Sequence, residues 1–191
     1  LPRLSLLRRR AQNEEEAVIY EPVLCLVLQG RKITSVGEQS AELGPGDALL
    51  ISHALPVMSR ITKASLERPY TAWILALDMA LIESLSEQFA NAPHPEALLP
   101  ETSTGPLSHG PADDSWLEPL LRYAALSRDP LAAIALGPST LREIHYRLLL
   151  SPIGIRLRSL LIAGSRASQI AKAITRLREE FRLAVSVGDL A

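Results

Sequence analysis

Four histidines, at positions 53, 94, 109 and 145, are the residues whose type would allow them to hold a metal ion. A mononuclear site on neighbouring strands needs several His or carboxylate side chains that point the same way, as an H-x-H pair with a later Glu and His would. Only His53 falls on a strand-like segment, whereas the others fall in a proline-rich stretch or on a helix. The spacing therefore predicts no metal site, and we expect no cofactor.

Patterns that carry nucleophilic or nucleotide chemistry are also missing from the sequence. It contains no G-x-S-x-G nucleophile elbow, no P-loop and no dinucleotide fingerprint. The single cysteine, Cys25, lies in an apolar run and is expected to act as a small buried hydrophobe. Asp47 follows a Gly-Pro-Gly sequence, where a carboxylate usually holds the turn by accepting backbone hydrogen bonds. We therefore expect the chain not to be an enzyme.

A small-molecule pocket is the chemistry that the first half of the sequence does support. Tyr70 and Trp73 lie in the segment YTAWILAL and could form the floor of a pocket inside a barrel, although core bulk is the alternative for each. Strand alternation places Cys25 and Val27 on one apolar face and three leucines on the other, so one of these faces lines any lumen. The candidate ligand-binding residues are Cys25, Val27, His53, Tyr70 and Trp73.

The elements that would position these residues are short strands cut by turns, over roughly the first 80 residues. Apolar runs rich in Val, Ile and Tyr, bounded by Gly, Pro and Asp, are typical of strands, and their close spacing predicts a sandwich or small barrel. Gly44-Pro45-Gly46-Asp47 is a dense turn signal. The predicted strands are residues 18–28, 32–36, 39–43, 48–52, 55–62 and 70–77, with a possible edge strand at 4–8.

The remaining residues are predicted to be mostly helical. Residues 91–115 contain five prolines and read as a loop, with a possible short strand at 107–109. Elsewhere apolar residues recur at helical spacing behind capping residues. The predicted helices begin after Asp78, at Asp114 or Ser115, and at Ser139 or Thr140, and two more cover residues 153–162 and 168–183. Strands first and helices second predict an α+β fold.

Composition limits the class of protein and its partners. The chain has 191 residues, a net charge of −1, one cysteine and no apolar run of the 18 residues that a membrane helix needs. These features predict a cytoplasmic protein without a membrane partner, and exclude a globally basic nucleic-acid binder. Residues 139–182 nevertheless hold nine Lys or Arg against three Glu. This basic segment is either an electrostatic approach to nucleic acid or a solvated face.

An ordered series of motifs resembles one protein family. The segments YEPVLCLVLQGRK, ELGPGDALLISHALPVMSRITKAS and PY-x-A-x-x-L-x-LD are similar to the N-terminal region of a subgroup of AraC/XylS-type bacterial transcription regulators. The stretch LREIHYRLLLSPIGIRLRSLLIAGSRASQIAKAITRLREEF looks like the linker of that subgroup. The final SVGDLA looks like the start of the first helix in the C-terminal helix-turn-helix domain of that subgroup. The resemblance therefore runs through most of the chain.

The resemblance implies a cupin-like double-stranded β-barrel that senses a small molecule, followed by a helical linker and dimerisation region. It also implies DNA binding through a C-terminal domain of two helix-turn-helix units, of which this chain holds only the beginning. The expected division is a sensing barrel with one helix and a proline-rich loop at 1–110, a helical dimerisation region at 111–165, and helices leading into the helix-turn-helix domain at 166–191. The alternative function is a stand-alone cupin-fold enzyme, an isomerase or dioxygenase.

A homodimer is expected because regulators that read paired half-sites need a two-fold partner. The predicted helix after Thr140 offers an apolar face for this contact. The alternative is that the same face packs on the barrel of its own chain, since helix amphipathicity demands burial but not burial against another chain. The candidate interface residues are Leu141, Ile144, Leu148 and Leu149.

Overall fold

The computed structural model describes residues 1–90 and 107–161. Over these residues eight of nine strands precede the first of four α-helices, so the predicted α+β class is confirmed. The strands are β1 Leu4–Arg9, β2 Glu16–Tyr20, β3 Val23–Gln29, β4 Arg31–Val36, β5 Gln39–Leu43, β6 Asp47–Ile51, β7 Leu55–Lys63, β8 Tyr70–Ala76 and β9 Ser108–Pro111. The helices are α1 Met79–Ala90, α2 Asp114–Ala125, α3 Pro130–Leu150 and α4 Ile155–Leu161, with 3-10 turns at Leu126–Arg128 and Pro152–Gly154.

The strands build two antiparallel sheets that face one another. One sheet has the order β1-β8-β3-β6-β9 and the other β2-β7-β4-β5. Buried residues from the facing sides of both sheets form one apolar cluster. This order is that of a double Greek-key jelly roll, the arrangement of cupins. The predicted cupin-like double-stranded barrel is therefore confirmed.

Two glycine turns fix the strand connections at the barrel ends. Gly30, between β3 and β4, has φ +83, and a Cβ there would lie 2.5 Å from the Lys63 carbonyl oxygen and 2.9 Å from Tyr70 Cα. No other residue fits this position without moving backbone. Between β5 and β6, the Asp47 carboxylate accepts a hydrogen bond of 2.8 Å from the Gly44 N–H, which is the turn-holding role predicted for Asp47.

The helices cover the outer face of the five-stranded sheet. A second apolar cluster joins strand residues such as Leu24 and Leu26 to Trp116 of α2 and to Ile144 and Leu148 of α3. Burial of this many large apolar side chains is the main stabilising contribution to a layered α+β fold. The barrel wall therefore has two buried faces, one towards the second sheet and one towards the helices.

The predicted strand at 18–28 is wrong in one respect, because the structure divides it into β2 and β3. The break falls at Glu21-Pro22. Proline has no N–H to donate to a ladder, so it ends the first strand. The consequence is topological, since β2 joins the four-stranded sheet while β3 joins the five-stranded one.

The predicted start of the third helix at Ser139 or Thr140 is also wrong. Helix α3 begins at Pro130, where Asp129 caps it by accepting bonds from the next two backbone N–H groups. The helix continues through Gly137-Pro138. Because Pro138 has no backbone N–H, the Ile134 carbonyl four residues earlier loses its helical donor. The hydroxyls of Ser139 and Thr140 both donate to the Leu136 carbonyl at 2.9 Å.

Some predictions fall outside the described residues. These are most of the proline-rich loop, the helix at 168–183 and the helix-turn-helix start at the end of the chain. The short strand predicted at 107–109 is present as β9, which pairs with β6 at one edge of the larger sheet.

Candidate functional site

The space between the two sheets of the barrel, here called the lumen, is lined by alternate residues of both. Strand alternation directs Cys25 and Val27 of β3 into it and turns Leu24 and Leu26 towards the helices. Most of the lining is apolar, and it includes leucine, isoleucine and valine side chains. The sequence left open which face of β3 lines the lumen, and the pairing of the sheets decides it.

A line of polar side chains crosses the lumen on the four-stranded sheet. Lys32 of β4 is only 4% exposed, and its ammonium group donates a hydrogen bond of 2.6 Å to the Tyr20 hydroxyl of β2. Tyr20 in turn donates to the Ser59 hydroxyl of β7 at 3.2 Å. The Lys32 Nζ also lies 4.8 Å from the Tyr20 ring centroid, a cation–π distance. These residues, together with Thr34, form what we call the lumen polar cluster.

The charge of Lys32 is the feature of this cluster that calls for explanation. Within residues 1–90 and 107–161, no ion pair involves Lys32. A buried ammonium group without an anion is costly, because the protein interior stabilises it less than water does. Its three N–H donors also exceed the one acceptor that the hydrogen bonds assign to it. Lys32 therefore has hydrogen-bonding capacity and a charge that the described residues do not use or neutralise.

Two further polar groups face the lumen from the five-stranded sheet. The Cys25 thiol and the Tyr70 hydroxyl lie 3.9 Å apart, and both residues are buried. Burial raises the pKa of Cys25, an effect that nearby Lys32 and the bond to Tyr70 partly offset. Burial is also the main cause that raises the pKa of Tyr70, and Cys25 adds to it. Both groups therefore remain neutral, and neither supplies the missing anion.

Thr34 completes the lumen polar cluster. It is 0% exposed, and it pairs with Ala41 on one side and Ser59 on the other, so its side chain shares the inward face with theirs. Its hydroxyl oxygen has no hydrogen-bond partner among the described residues. An unpartnered buried hydroxyl is unusual in a native fold.

The jelly-roll barrel with a helical layer against it agrees with the comparisons with known proteins. Residues 1–156 match the family described as AraC-type transcriptional regulator N-terminus. The chain belongs to this family. The predicted resemblance is thereby confirmed over most of the chain. The chain is a regulatory region of an AraC-type regulator, and the alternative of a stand-alone cupin enzyme is not favoured.

Solved structures of another AraC-type protein share the fold. ToxT from Vibrio cholerae matches with a TM-score of 0.58 at 12% identity, covering 98% of this chain and 68% of ToxT. ToxT with a bound unsaturated fatty acid matches with a TM-score of 0.57 at 9% identity, covering 98% and 66%. ToxT bound to (E)-4-(8-methylnaphthalen-1-yl)but-3-enoic acid matches at 0.55 and 12%, covering 98% and 68%. A comparison with curated protein sequences gives no significant match.

In this AraC-type region, the structure places some of the predicted ligand-binding residues in the lumen and others outside it. Cys25, Val27 and Tyr70 face the lumen, and their contact with a ligand remains a prediction. The placement of Trp73 in the pocket is wrong, because Trp73 lies an odd number of residues from Tyr70 and packs with the helix-side core. His53 follows β6, with its Nδ1 3.1 Å from the Ser52 hydroxyl. Burial, and to a lesser extent Arg156, lowers the pKa of His53.

The sequence alone does not identify the lumen polar cluster. Lys32, Thr34 and Ser59 lie in segments with polar alternation, and such positions usually face solvent. A signal was nevertheless present in RKITSV, where a lysine and a threonine are two residues apart and so share one strand face. Only the pairing of β4 with two neighbours shows that this face points inwards.

The face predicted to form the dimer interface is occupied within one chain. Ile144, Leu148 and Leu149 are buried in the core between the helices and the barrel, and Leu141 packs against that core while staying partly exposed. The alternative for that face, packing on the barrel of its own chain, is therefore the one observed. Burial against the barrel leaves those three side chains no surface for a second chain. The homodimer itself remains a prediction.

Three of the four arginines in the described part of the predicted basic segment make structural contacts, Arg156 being the fourth. Arg142 donates to the Gln88 side chain at 2.7 Å, and Arg147 lies 3.8 Å from Glu143. Arg158 is buried and donates to the carbonyls that end α3. These arginines therefore stabilise the helical layer, and the other basic residues from position 166 onwards lie outside the described residues.

Metal and membrane features can be assessed for the same part of the chain. Among the described residues, no group of three or more His, Cys, Asp or Glu could hold a metal ion. None of the helices within 1–90 and 107–161 is long and apolar enough to cross a membrane.

Proposed function

We propose that this chain is the ligand-sensing and dimerisation region of an AraC-type regulator, and that its effector is an organic carboxylate held by Lys32. The observation that carries the proposal is the buried ammonium group of Lys32, which no carboxylate of the described residues neutralises. The region acts by binding and not by catalysis.

The chemistry of the lumen fits a carboxylate with an apolar body. One Lys32 N–H is used by Tyr20, so two donors remain for the oxygens of a carboxylate. Hydrogen bonds between ionised groups are shorter and stronger than neutral ones, and more so in a site that excludes water. The apolar lining, including Val27 and Val57, suits a hydrocarbon chain or ring.

The related structures support this ligand class. ToxT has been solved with an unsaturated fatty acid and with a substituted butenoic acid, and both are carboxylic acids. The shared fold makes the same class a reasonable choice for this chain, while the assignment to Lys32 rests on the residues described above.

Binding of decanoate, measured by isothermal titration calorimetry, tests the proposal. Lys32→Met removes the charge at similar length, and we expect it to weaken decanoate binding at least tenfold, about the value of a charge-assisted hydrogen bond. Lys63→Met is the matched control, because Lys63 is exposed. Failure of decanoate to bind, or equal binding to wild type and Lys32→Met, would contradict the proposal.

The partners of the complete regulator are part of the same proposal. We infer that DNA is bound through a C-terminal helix-turn-helix domain, which places the protein in the cytoplasm with the chromosome. Within the chain, the predicted division at 110 and 165 separates a sensing part from a helical dimerisation part. Since β9 ends at Pro111, we propose that the sensing part ends at 111, one residue later than 110.

The homodimer is proposed to use the first half of α3 in place of the buried face. Residues 130–141 carry no charged side chain, yet Leu131 is 79% and Ile134 is 76% exposed. A groove of about 610 Å³ runs beside Ile134. We expect Leu131→Glu to give a folded monomer by analytical ultracentrifugation, and Leu66→Glu, at an equally exposed loop leucine, to leave the dimer intact. A dimer in Leu131→Glu would exclude this surface.

A further inference from the structure

We propose that the effector carries a second hydrogen-bonding group, a hydroxyl or keto oxygen a few bonds from its carboxylate, and that Thr34 recognises it. This inference rests on the proposed carboxylate site at Lys32 and specifies the ligand class further. It predicts a hydroxy- or oxo-carboxylic acid in preference to a plain hydrocarbon acid.

The position of Thr34 relative to Lys32 supports the inference. The two residues are separated by one position on β4, so their side chains share the inward face, about 7 Å apart along the strand. Ser59, which ends the hydrogen-bond chain from Lys32 through Tyr20, lies opposite Thr34 on β7. Thr34 therefore lies beside the end of this hydrogen-bond chain, on the same inward face as the carboxylate site.

The hydrogen-bonding state of Thr34 supplies the driving force. Thr34 is 0% exposed, and its hydroxyl has no hydrogen-bond partner among the described residues. A buried hydroxyl in this state lowers stability, and a ligand oxygen that bonds to it recovers that loss. A purely hydrocarbon chain in the same place leaves the hydroxyl unsatisfied. The site thus selects against the plain acid as well as for the oxygenated one.

Thr62 provides an internal comparison. Its hydroxyl is also buried and unpartnered among the described residues. However, Thr62 lines a surface groove with Gln12 and Arg60, at the irregularity between β4 and β7, and not the apolar lumen. Thr62→Val therefore also removes a buried, unpartnered hydroxyl, but at a place that an effector in the lumen does not reach.

The experiment compares decanoate with its 3-, 5- and 7-hydroxy derivatives by calorimetry on the wild-type chain. We expect the best hydroxy acid to bind about fivefold more tightly than decanoate, the value of one neutral hydrogen bond. In Thr34→Val, which keeps the side-chain shape, this ratio should fall to about one. Thr34→Ser and Thr62→Val should preserve it.

Thermal unfolding without ligand gives an independent readout. Thr34→Val should be at least as stable as wild type, because it removes an unsatisfied polar group. A clear loss of stability would show that the hydroxyl has a partner, and would overturn the inference. An equal ratio of hydroxy-acid to decanoate affinity in wild type and Thr34→Val would also overturn it. If Lys32→Met weakens decanoate binding but the affinity ratio is the same in wild type and Thr34→Val, only this inference fails. If decanoate does not bind, or binds equally to wild type and Lys32→Met, the proposed function fails as well.

Discussion

His145 makes the stability of the protein depend on pH, and its surroundings allow the effect to be worked out. The ring is fully buried. Its Nε2 accepts a hydrogen bond of 2.9 Å from the Asp78 backbone N–H, and its Nδ1 lies 2.7 Å from the Leu141 carbonyl, which can only accept. The ring is therefore neutral, with its proton on Nδ1, and it joins the end of β8 to α3. Protonation of Nε2 would break the bond to Asp78.

The direction of the pH effect follows from the pKa of His145. Burial lowers this pKa below the usual 6.5, Arg3 acts in the same direction, and the bond to Leu141 and the Asp78 carboxylate oppose it. Above about pH 6.5 the ring is neutral in both the folded and the unfolded chain. As the pH falls below that value, the unfolded chain takes up a proton that the folded protein does not. The free energy of unfolding then decreases, by up to about 1.4 kcal/mol for each pH unit.

Urea unfolding at pH 8, 7, 6 and 5 measures this effect in wild type and in His145→Phe. The variant leaves the Asp78 N–H unpaired, so we expect it to be less stable at pH 8 by about 1–3 kcal/mol. The difference between the two proteins should shrink towards pH 5, because only wild type loses the histidine contribution. His109→Phe, at an exposed histidine, is the control and should follow wild type. Parallel pH curves for wild type and His145→Phe would refute the reasoning.

Further predictions concern packing, turns, DNA and metal. Leu148→Ala should lower the free energy of unfolding by about 2–5 kcal/mol in urea titrations, whereas Leu150→Ala, at a more exposed position, should cost far less. Gly154→Ala should prevent correct packing of α4, seen as lost near-UV circular dichroism, because the added Cβ would lie 1.8 Å from the Leu148 carbonyl oxygen. The 191-residue chain alone should bind DNA weakly, and filter binding should show no sequence preference at about 200 mM salt. Elemental analysis should find no equivalent of Fe, Zn, Mn or Ni that depends on His53.

Much of the fold could be predicted because its signals are local. Glycine and proline turns and short apolar runs indicated the strands, and the capping residue Asp113 accepts the N-terminal bond of α2 close to the predicted start. The start of α3 was missed for a different reason. Gly137 and Pro138 are breakers in isolation, but tertiary packing holds the helix through them, with Gly137 beside the Tyr123 ring.

The dimer face shows a limit of amphipathicity as a signal. Ile144 and Leu148 repeat at helical spacing, and this pattern states only that the face is buried. Whether the barrel or a second chain buries it depends on where the helix lies, which the sequence of the helix does not contain. The exposed Leu131 and Ile134, by contrast, could not be identified as a surface before the structure showed how far α3 extends.

The lumen was the hardest feature to predict, since its polar residues look like surface residues. In β4, Lys32 and Thr34 alternate with Ile33, and the usual interpretation places the lysine in solvent and the isoleucine inside. The structure reverses this assignment, with Lys32 and Thr34 buried and Ile33 only half-buried. A strand that places its polar residues inwards gives up stability that an apolar lumen would keep. Such a departure from the normal pattern is expected at a functional site, and here it falls on the two residues to which we assign recognition of the effector.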